Sequence, residues 1–184
     1  MRIGIDISQI AHEGTGVAQY VRKLVTALIS QDTKNEYVLF GASLRKRDVF
    51  TQFVADLGGE KKGLKLVIVA IPPTLLTILW NRLHIIPIEM FVGHVDVFWS
   101  SDWTQPPLRQ AYGVTTIHDV SFLRYPESFV SQITDEQNRR LRWAKSECQL
   151  FLCDSEATKR DVKEFLHISN EKLSVVYPGF ISSI

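Results

Sequence analysis

The stretch Val114-Thr-Thr-Ile-His-Asp119 determines how we interpret the rest of the chain. Its β-branched residues, preceded by Gly113, predict a short buried strand, and His118 and Asp119 come directly after it. In an open parallel sheet, ligands bind in the crevice outside the carboxyl ends of the strands. The histidine–aspartate pair is therefore a candidate for chemistry, although a single histidine is more often a structural residue whose ring nitrogens are both satisfied.

Outward from this strand, apolar patterns typical of strands and of helices alternate along the chain. Strands are predicted at residues 2–7, 37–40, 64–70, 96–99, 114–117, 149–153 and 173–177. Helices are predicted at residues 17–29, 48–57, 74–91, 135–145 and 156–167. We expect the third helix to break near Pro87, the fourth to carry its arginines outward, and Ser155 to cap the fifth. The alternation predicts an α/β fold, a doubly wound and mainly parallel Rossmann-like sheet, in a single domain over residues 1–184.

Composition limits the classes of function. The 184 residues are 45% apolar and 22% charged with a formal net charge of +1, so we expect a folded globular domain and no nucleic-acid partner. No signal peptide or membrane span is predicted, which favours a cytoplasmic location. The apolar residues 74–91 fit a core helix, an acceptor contact or a membrane surface, so peripheral contact at the inner membrane face remains an alternative.

A glycine loop, Gly14-Thr15-Gly16, lies between the first predicted strand and the first predicted helix. Free backbone N–H groups and the helix dipole favour an anion at such a position, although glycines there also serve as tight turns. A dinucleotide fingerprint would need a third glycine at Gln19 and an acid at the end of the second strand, where Gly41 stands. An NAD(P)-dependent oxidoreductase is therefore disfavoured.

Four segments occur in a fixed order: Gly14-Thr-Gly-Val-Ala-Gln-Tyr20, Asp96-Val-Phe-Trp-Ser-Ser101, Thr115-Thr-Ile-His-Asp119 and Cys153-Asp-Ser-Glu-Ala-Thr-Lys-Arg-Asp161. In this order they resemble the N-terminal domain of GT-B glycosyltransferases of the family-4 (group 1) type, which are retaining enzymes. The resemblance implies a hexosyltransferase-type enzyme that transfers a sugar from a nucleotide-sugar donor to an acceptor. It also implies that the donor is held mainly by a C-terminal domain absent from this chain, so the chain alone is expected to be inactive.

The resemblance further implies roles for individual residues. Gly14, Thr15 and Gly16 would face the donor diphosphate, and His118 would face the transferred sugar as the catalytic residue. Further positions would line the cleft or the acceptor side: Asp102, Trp103, Asp119, Tyr125, Ser155 and Glu156.

The acceptor itself is left open as a sugar, a lipid-linked molecule or another compound. Trp99 stands where many relatives have a histidine, so no acceptor identity is carried over. The family needs no metal or other cofactor, and none is expected here, since the chain has no Asp-x-Asp motif.

A function from another class also remains open: a non-catalytic α/β domain that binds a nucleotide or a partner. If the chain is instead half of an enzyme, one wall of a cleft lacks its second domain. We then expect an exposed apolar patch at the carboxyl edge of the sheet, around Trp103, Phe122 and Tyr125 and including part of residues 75–91.

Overall fold

The computed structural model describes residues 1–59 and 63–179, so the predicted domain end at residue 184 lies outside the described residues. Seven strands form one sheet in the order β3-β2-β1-β4-β5-β6-β7, and each neighbouring pair is parallel. The strands are β1 (Arg2–Asp6), β2 (Glu36–Ala42), β3 (Leu64–Val69), β4 (Val97–Ser100), β5 (Tyr112–Ile117), β6 (Cys148–Cys153) and β7 (Leu173–Val175).

Helices connect these strands. They are α1 (Gly16–Gln31), α2 (Arg47–Asp56), α3 (Pro73–Leu76), α4 (Glu89–Val92), α5 (Ser121–Arg124), α6 (Ser131–Glu147) and α7 (Glu156–Leu166). A π-helical turn, Thr77–Arg82, continues α3, and 3₁₀ turns occupy Ser8–Ala11, Pro126–Ser128 and Asn170–Lys172. The parallel sheet with its helical connections confirms the predicted Rossmann-like α/β fold.

The core is layered because alternate residues of a strand point to opposite faces of the sheet. On β2, Tyr37 and Leu39 pack in the cluster that includes α1 and α2, whereas Val38 and Phe40 pack in the cluster that includes the π-helical turn and α4. A third cluster joins β5 and β6 to α6 and α7. In the described part of the chain, no helix is both long enough and apolar enough to cross a bilayer.

The segment after β3 departs most from its predicted helix. The chain leaves helical geometry after Arg82, and both His84 and Ile86 have positive φ angles, 51° and 65°. Polar contacts fix the turn that precedes this break. Asn81 Nδ2 donates to Glu136 Oε1 at 2.8 Å and to the carbonyl of Trp103 at 3.0 Å. An apolar pattern does not encode such contacts, which is why the sequence predicted one broken helix.

The prediction that the fourth predicted helix, observed as α6, carries its arginines outward is wrong for Arg140, which is only 2% exposed. Its Nη2 donates to the carbonyls of Ser101 and Thr116 at 3.1 and 3.0 Å, and to the hydroxyl of Thr115 at 2.5 Å. These acceptors lie at the carboxyl ends of β4 and β5. They make burial of a guanidinium possible, because buried donors need partners.

Candidate functional site

The strand order reverses between β1 and β4, and a groove of about 580 Å³ lies at their carboxyl ends. Such a reversal opens a crevice in which α/β proteins bind ligands. We call this cavity the sheet-edge groove. Its walls come from the segments that follow β1, β2, β3 and β4, and include Ser8, Thr15, Val17, Ser43 and Trp103. The groove therefore contains two of the predicted site residues, Thr15 and Trp103.

A second cavity of about 190 Å³, the His118 pocket, lies beside the groove. Its walls include Val17, Asp102, His118, Asp119 and Arg140. Val17 lines both the pocket and the groove. A third cavity, of about 710 Å³, runs along α1 and residues 176–179 and includes the preceding residue, Gly16. Gly16 and Val17, in the first turn of α1, thus border all three cavities between them.

The conformation of the glycine loop leaves backbone amides in this turn available to an anion. Gly14 has a φ of +86°, a conformation that favours glycine, and an added Cβ at Gly16 would meet nothing within 4 Å. The hydroxyl of Thr15 caps α1 by accepting from the amide of Ala18 at 3.2 Å. In the described part of the chain, no group accepts from the amides of Gly16 or Val17. Two backbone donors of a 16-residue helix therefore remain open to a ligand.

His118 is held in one orientation at the end of β5. Its Nδ1 lies 2.7 Å from Asp154 Oδ2, and its ring packs edge-on against Tyr20 with centroids 4.9 Å apart. A carboxylate only accepts, so Nδ1 carries the proton and Nε2 faces away from this bond. Among the described residues Nε2 has no partner, and the side chain is 19% exposed. His118 can therefore bind a ligand through Nε2.

Asp154 is a residue of this site that the sequence analysis missed. Roles were predicted for the next two residues, Ser155 and Glu156, but none for Asp154. The pairing of the strands, which only the structure shows, explains its position, because Ile117 of β5 lies opposite Cys153 of β6. The next residue on each strand, His118 and Asp154, therefore leaves the sheet at the same level.

The other predicted site residues are distributed unevenly. Asp102 and Asp119 join His118 in its pocket, and Asp119 Oδ1 accepts from the amide of Ser121 at 2.9 Å. The hydroxyl of Ser155 caps α7 by accepting from the Thr158 amide at 3.0 Å. In the described ranges, four predicted residues line none of the three cavities: Gly14, Tyr125, Ser155 and Glu156.

Only part of the predicted apolar patch is exposed. Phe122 is 5% exposed and packs with Val120 and Leu141 in the core, so its predicted exposure is wrong. A helical turn that the sequence did not predict, α5, turns this ring inward. Large apolar side chains nevertheless remain exposed close by in the chain: Tyr125, Phe129, Val130 and Ile133.

Burial controls the protonation of several groups near the site. Burial raises the pKa of Asp6 at the end of β1, and it also raises the pKa of the Tyr20 hydroxyl. Burial raises the pKa of Cys148 to about 12 and that of Cys153 to about 11, so both thiols are neutral at pH 7 and poor nucleophiles. Within residues 1–59 and 63–179, no group of three or more His, Cys, Asp or Glu side chains is placed to hold a metal ion.

Comparison with protein families adds one match. Residues 14–181 match the model of the family described as Glycosyltransferase Family 4. The matched stretch begins at the glycine loop and includes both His118 and Asp154. No curated protein matches the chain.

Proposed function

The chain belongs to glycosyltransferase family 4, and from this premise we propose that it is the acceptor-side half of a retaining, hexosyltransferase-type enzyme. The donor is a nucleotide-sugar, and a C-terminal domain outside this chain holds most of it. The observation that carries the proposal is His118, a histidine with one free ring nitrogen in a small pocket at the carboxyl edge of the sheet. Val17, one of the two residues whose helix amides have no acceptor in the described part of the chain, lines this pocket, which supports placing the sugar beside the diphosphate.

The diphosphate lies at the first turn of α1. The amides of Gly16 and Val17 point toward it, and the positive end of the helix dipole lowers the energy of its negative charge. Negative charge on the diphosphate grows as the bond to the sugar breaks, so the same groups stabilise the transition state more than the ground state. Gly14 allows the loop to turn sharply enough to expose these amides.

His118 faces the transferred sugar and hydrogen-bonds one of its hydroxyls through Nε2. The carbonyl of His118 already accepts from Thr158 Oγ1 at 3.1 Å, so the ring is the group that we assign to the substrate. Asp154 acts through His118: it fixes the tautomer and the direction of the ring, and its negative charge stabilises positive charge on the imidazole. Asp154 is therefore a positioning residue and His118 a catalytic one.

The acceptor enters through the sheet-edge groove. This groove and the His118 pocket share Val17, which brings an acceptor in the groove close to the sugar carbon that reacts. Trp103 and Thr15 contribute to the wall on this side. Peripheral contact with a membrane surface is a further part of the proposal. Its support is a set of exposed apolar side chains in the segment after β3: Leu75, Ile78, Leu83, Ile85 and Met90.

Substitution of His118 tests the proposal in the complete enzyme, meaning this domain joined to its donor-binding domain. His118→Ala is expected to lower turnover about 100-fold or more, a loss of roughly 3 kcal/mol of transition-state stabilisation, while the variant remains folded at the temperature of the assay. The control is His94→Ala, which removes a histidine 3.4 Å from Asp96 before β4, at the opposite edge of the sheet. Unchanged turnover, or a loss of turnover explained by unfolding, would contradict the catalytic role.

A further inference from the structure

An aromatic side chain of α1, that of Tyr20, packs against the ring of His118. The two ring centroids are 4.9 Å apart and the ring planes are inclined at 88°. Aromatic rings favour this perpendicular packing, which defines a direction as well as a distance. Asp154 holds His118 through one hydrogen bond at Nδ1, and the imidazole can still turn about a single bond of this kind. The contact with Tyr20 comes from another element and restricts this turning.

The ring of Tyr20 is itself supported by a buried residue of β4. It lies 6.4 Å from the ring of Trp99, with the planes inclined at 71°. Trp99 is only 7% exposed, and its Nε1 donates to the hydroxyl of Thr116 at 3.0 Å. Thr116 lies on β5, two residues before His118. Tyr20 therefore packs against the ends of two neighbouring strands.

The contact with His118 is made by the ring of Tyr20, and the hydroxyl has no evident structural use. This hydroxyl is buried, and in the described part of the chain it has no partner with hydrogen-bond geometry. Its weak interaction with the Thr116 hydroxyl lowers the pKa of Tyr20 less than burial raises it. A phenylalanine would keep the ring and remove an unpaired polar group. Tyr20→Phe thus isolates the part of the side chain that contacts His118.

Tyr20 also connects His118 to the anion-binding end of α1. It follows Gly16 by four residues and Val17 by three, and residues so spaced lie on the same side of a helix. The amides of Gly16 and Val17 are the donors that we assign to the diphosphate. Because all three residues belong to one helix, the positions of these amides and of the Tyr20 ring are fixed relative to each other.

We propose that Tyr20, supported by Trp99, is a positioning residue whose ring sets the direction of His118 Nε2 relative to the amides of α1. This inference rests on the proposed function in taking His118 to act on the sugar and these amides to bind the diphosphate. A sugar joined to a diphosphate at α1 has little freedom to follow an imidazole that turns away. A small displacement of the ring therefore lowers the rate more than it lowers donor binding.

NMR of the 184-residue chain measures the effect of Tyr20 on the ring of His118. The five histidines are labelled with ¹³C at Cε1, and relaxation of each Cε1–Hε1 bond gives an order parameter. For His118 we expect a value near that of rigid backbone, about 0.85, in the wild type and in Tyr20→Phe, and a value below about 0.6 in Tyr20→Leu. The internal control is His84, which stacks on Trp143 with centroids 3.7 Å apart and should keep its value in each variant.

Kinetics of the complete enzyme separate positioning from stability. Tyr20→Leu is expected to lower kcat about tenfold or more and to leave the affinity for UDP and GDP, measured by calorimetry, within about twofold of the wild type. Tyr20→Phe should keep the kcat of the wild type. The matched control is Val25→Ala, which shortens a fully buried side chain five residues farther along α1. This variant should melt at a lower temperature and retain its kcat.

Three results would overturn the inference. They are a His118 ring as mobile in the wild type as that of the exposed His12, an unchanged order parameter of His118 in Tyr20→Leu, and equal losses of kcat in Tyr20→Leu and Val25→Ala. The first can be obtained even if Tyr20→Leu does not fold. The NMR results do not depend on sugar transfer, so they can contradict the role of Tyr20 while the effect of His118→Ala on turnover still supports the proposed function.

Discussion

At the scale of single residues, Asp6 shows most directly how burial opposes the ionisation of a carboxyl group. Its Oδ1 accepts from the Ser8 amide at 2.8 Å, but burial dominates and raises its pKa above the ordinary value of 3.8. The unfolded chain therefore loses this proton at lower pH than the folded chain does. The contribution of Asp6 to the free energy of unfolding must then fall as pH rises above about 3.8.

Asp6→Asn removes this ionisation and retains an oxygen that can accept from Ser8. We expect the variant to gain stability relative to the wild type as pH rises from 4 toward neutrality, and the difference to level off once Asp6 is ionised in the folded protein. Urea unfolding at a series of pH values measures it. If the stability advantage of the variant over the wild type shrinks with rising pH, the hydrogen bond to Ser8 affects the pKa of Asp6 more than burial does.

A substitution at Gly16 distinguishes a glycine that is needed only for a turn from one that contacts the ligand. Since an added Cβ meets nothing within 4 Å, Gly16→Val should fold with a melting temperature close to that of the wild type. In the complete enzyme its side chain would stand between the helix amides and the diphosphate, so we expect donor affinity to fall about tenfold or more. Thr26→Val, at an exposed position farther along α1, is the control. Equal losses of affinity and stability would make Gly16 only a turn residue.

The sequence predicted His118 but neither of the residues that the structure adds to its surroundings. A histidine after a β-branched run stands out by its position in the chain. Asp154 and Arg140 depend instead on which strands are neighbours and on which carbonyls face a helix. Composition carries no information on either point, so the arginines of a polar helix, including Arg140, were predicted to face solvent.

At the scale of elements, the cap of α7 supports a prediction of stability. The Ser155 hydroxyl accepts from the Thr158 amide, and the Thr158 hydroxyl in turn donates to the carbonyl of His118. Ser155→Ala should lower the free energy of unfolding by about 1 kcal/mol. The matched control is Ser169→Ala, because Ser169 precedes a 3₁₀ turn without a side-chain capping bond. Equal effects of the two changes in urea unfolding would argue against the cap.

Strands and long helices were predictable because their apolar periods reflect burial on one or two faces. Each of the seven predicted strands is present, and Ser155 caps α7 as predicted. The failures are short elements such as α5 and the π-helical turn, whose geometry comes from contacts distant in the chain. His84, just after the π-helical turn, makes such a contact. Its two ring nitrogens lie at hydrogen-bond distance from the carbonyl of Trp80 and from the carboxylate of Glu147, which is 63 residues away in the chain.

At the scale of the whole molecule, the proposal predicts that this chain is incomplete as a catalyst. We expect the isolated chain to transfer no sugar, and to bind UDP- or GDP-sugars with millimolar affinity at most. Calorimetry on the isolated chain measures this affinity. Micromolar binding, about −8 kcal/mol, would contradict the view that another domain holds most of the donor.

The central claim is that the transferred sugar lies at His118. The most direct test is a crystal structure of the complete enzyme with an unreactive nucleotide-sugar. The account predicts a sugar hydroxyl within about 3.2 Å of His118 Nε2 and diphosphate oxygens at the amides of Gly16 and Val17. A sugar bound outside the His118 pocket, with Nε2 left without a contact, would contradict it.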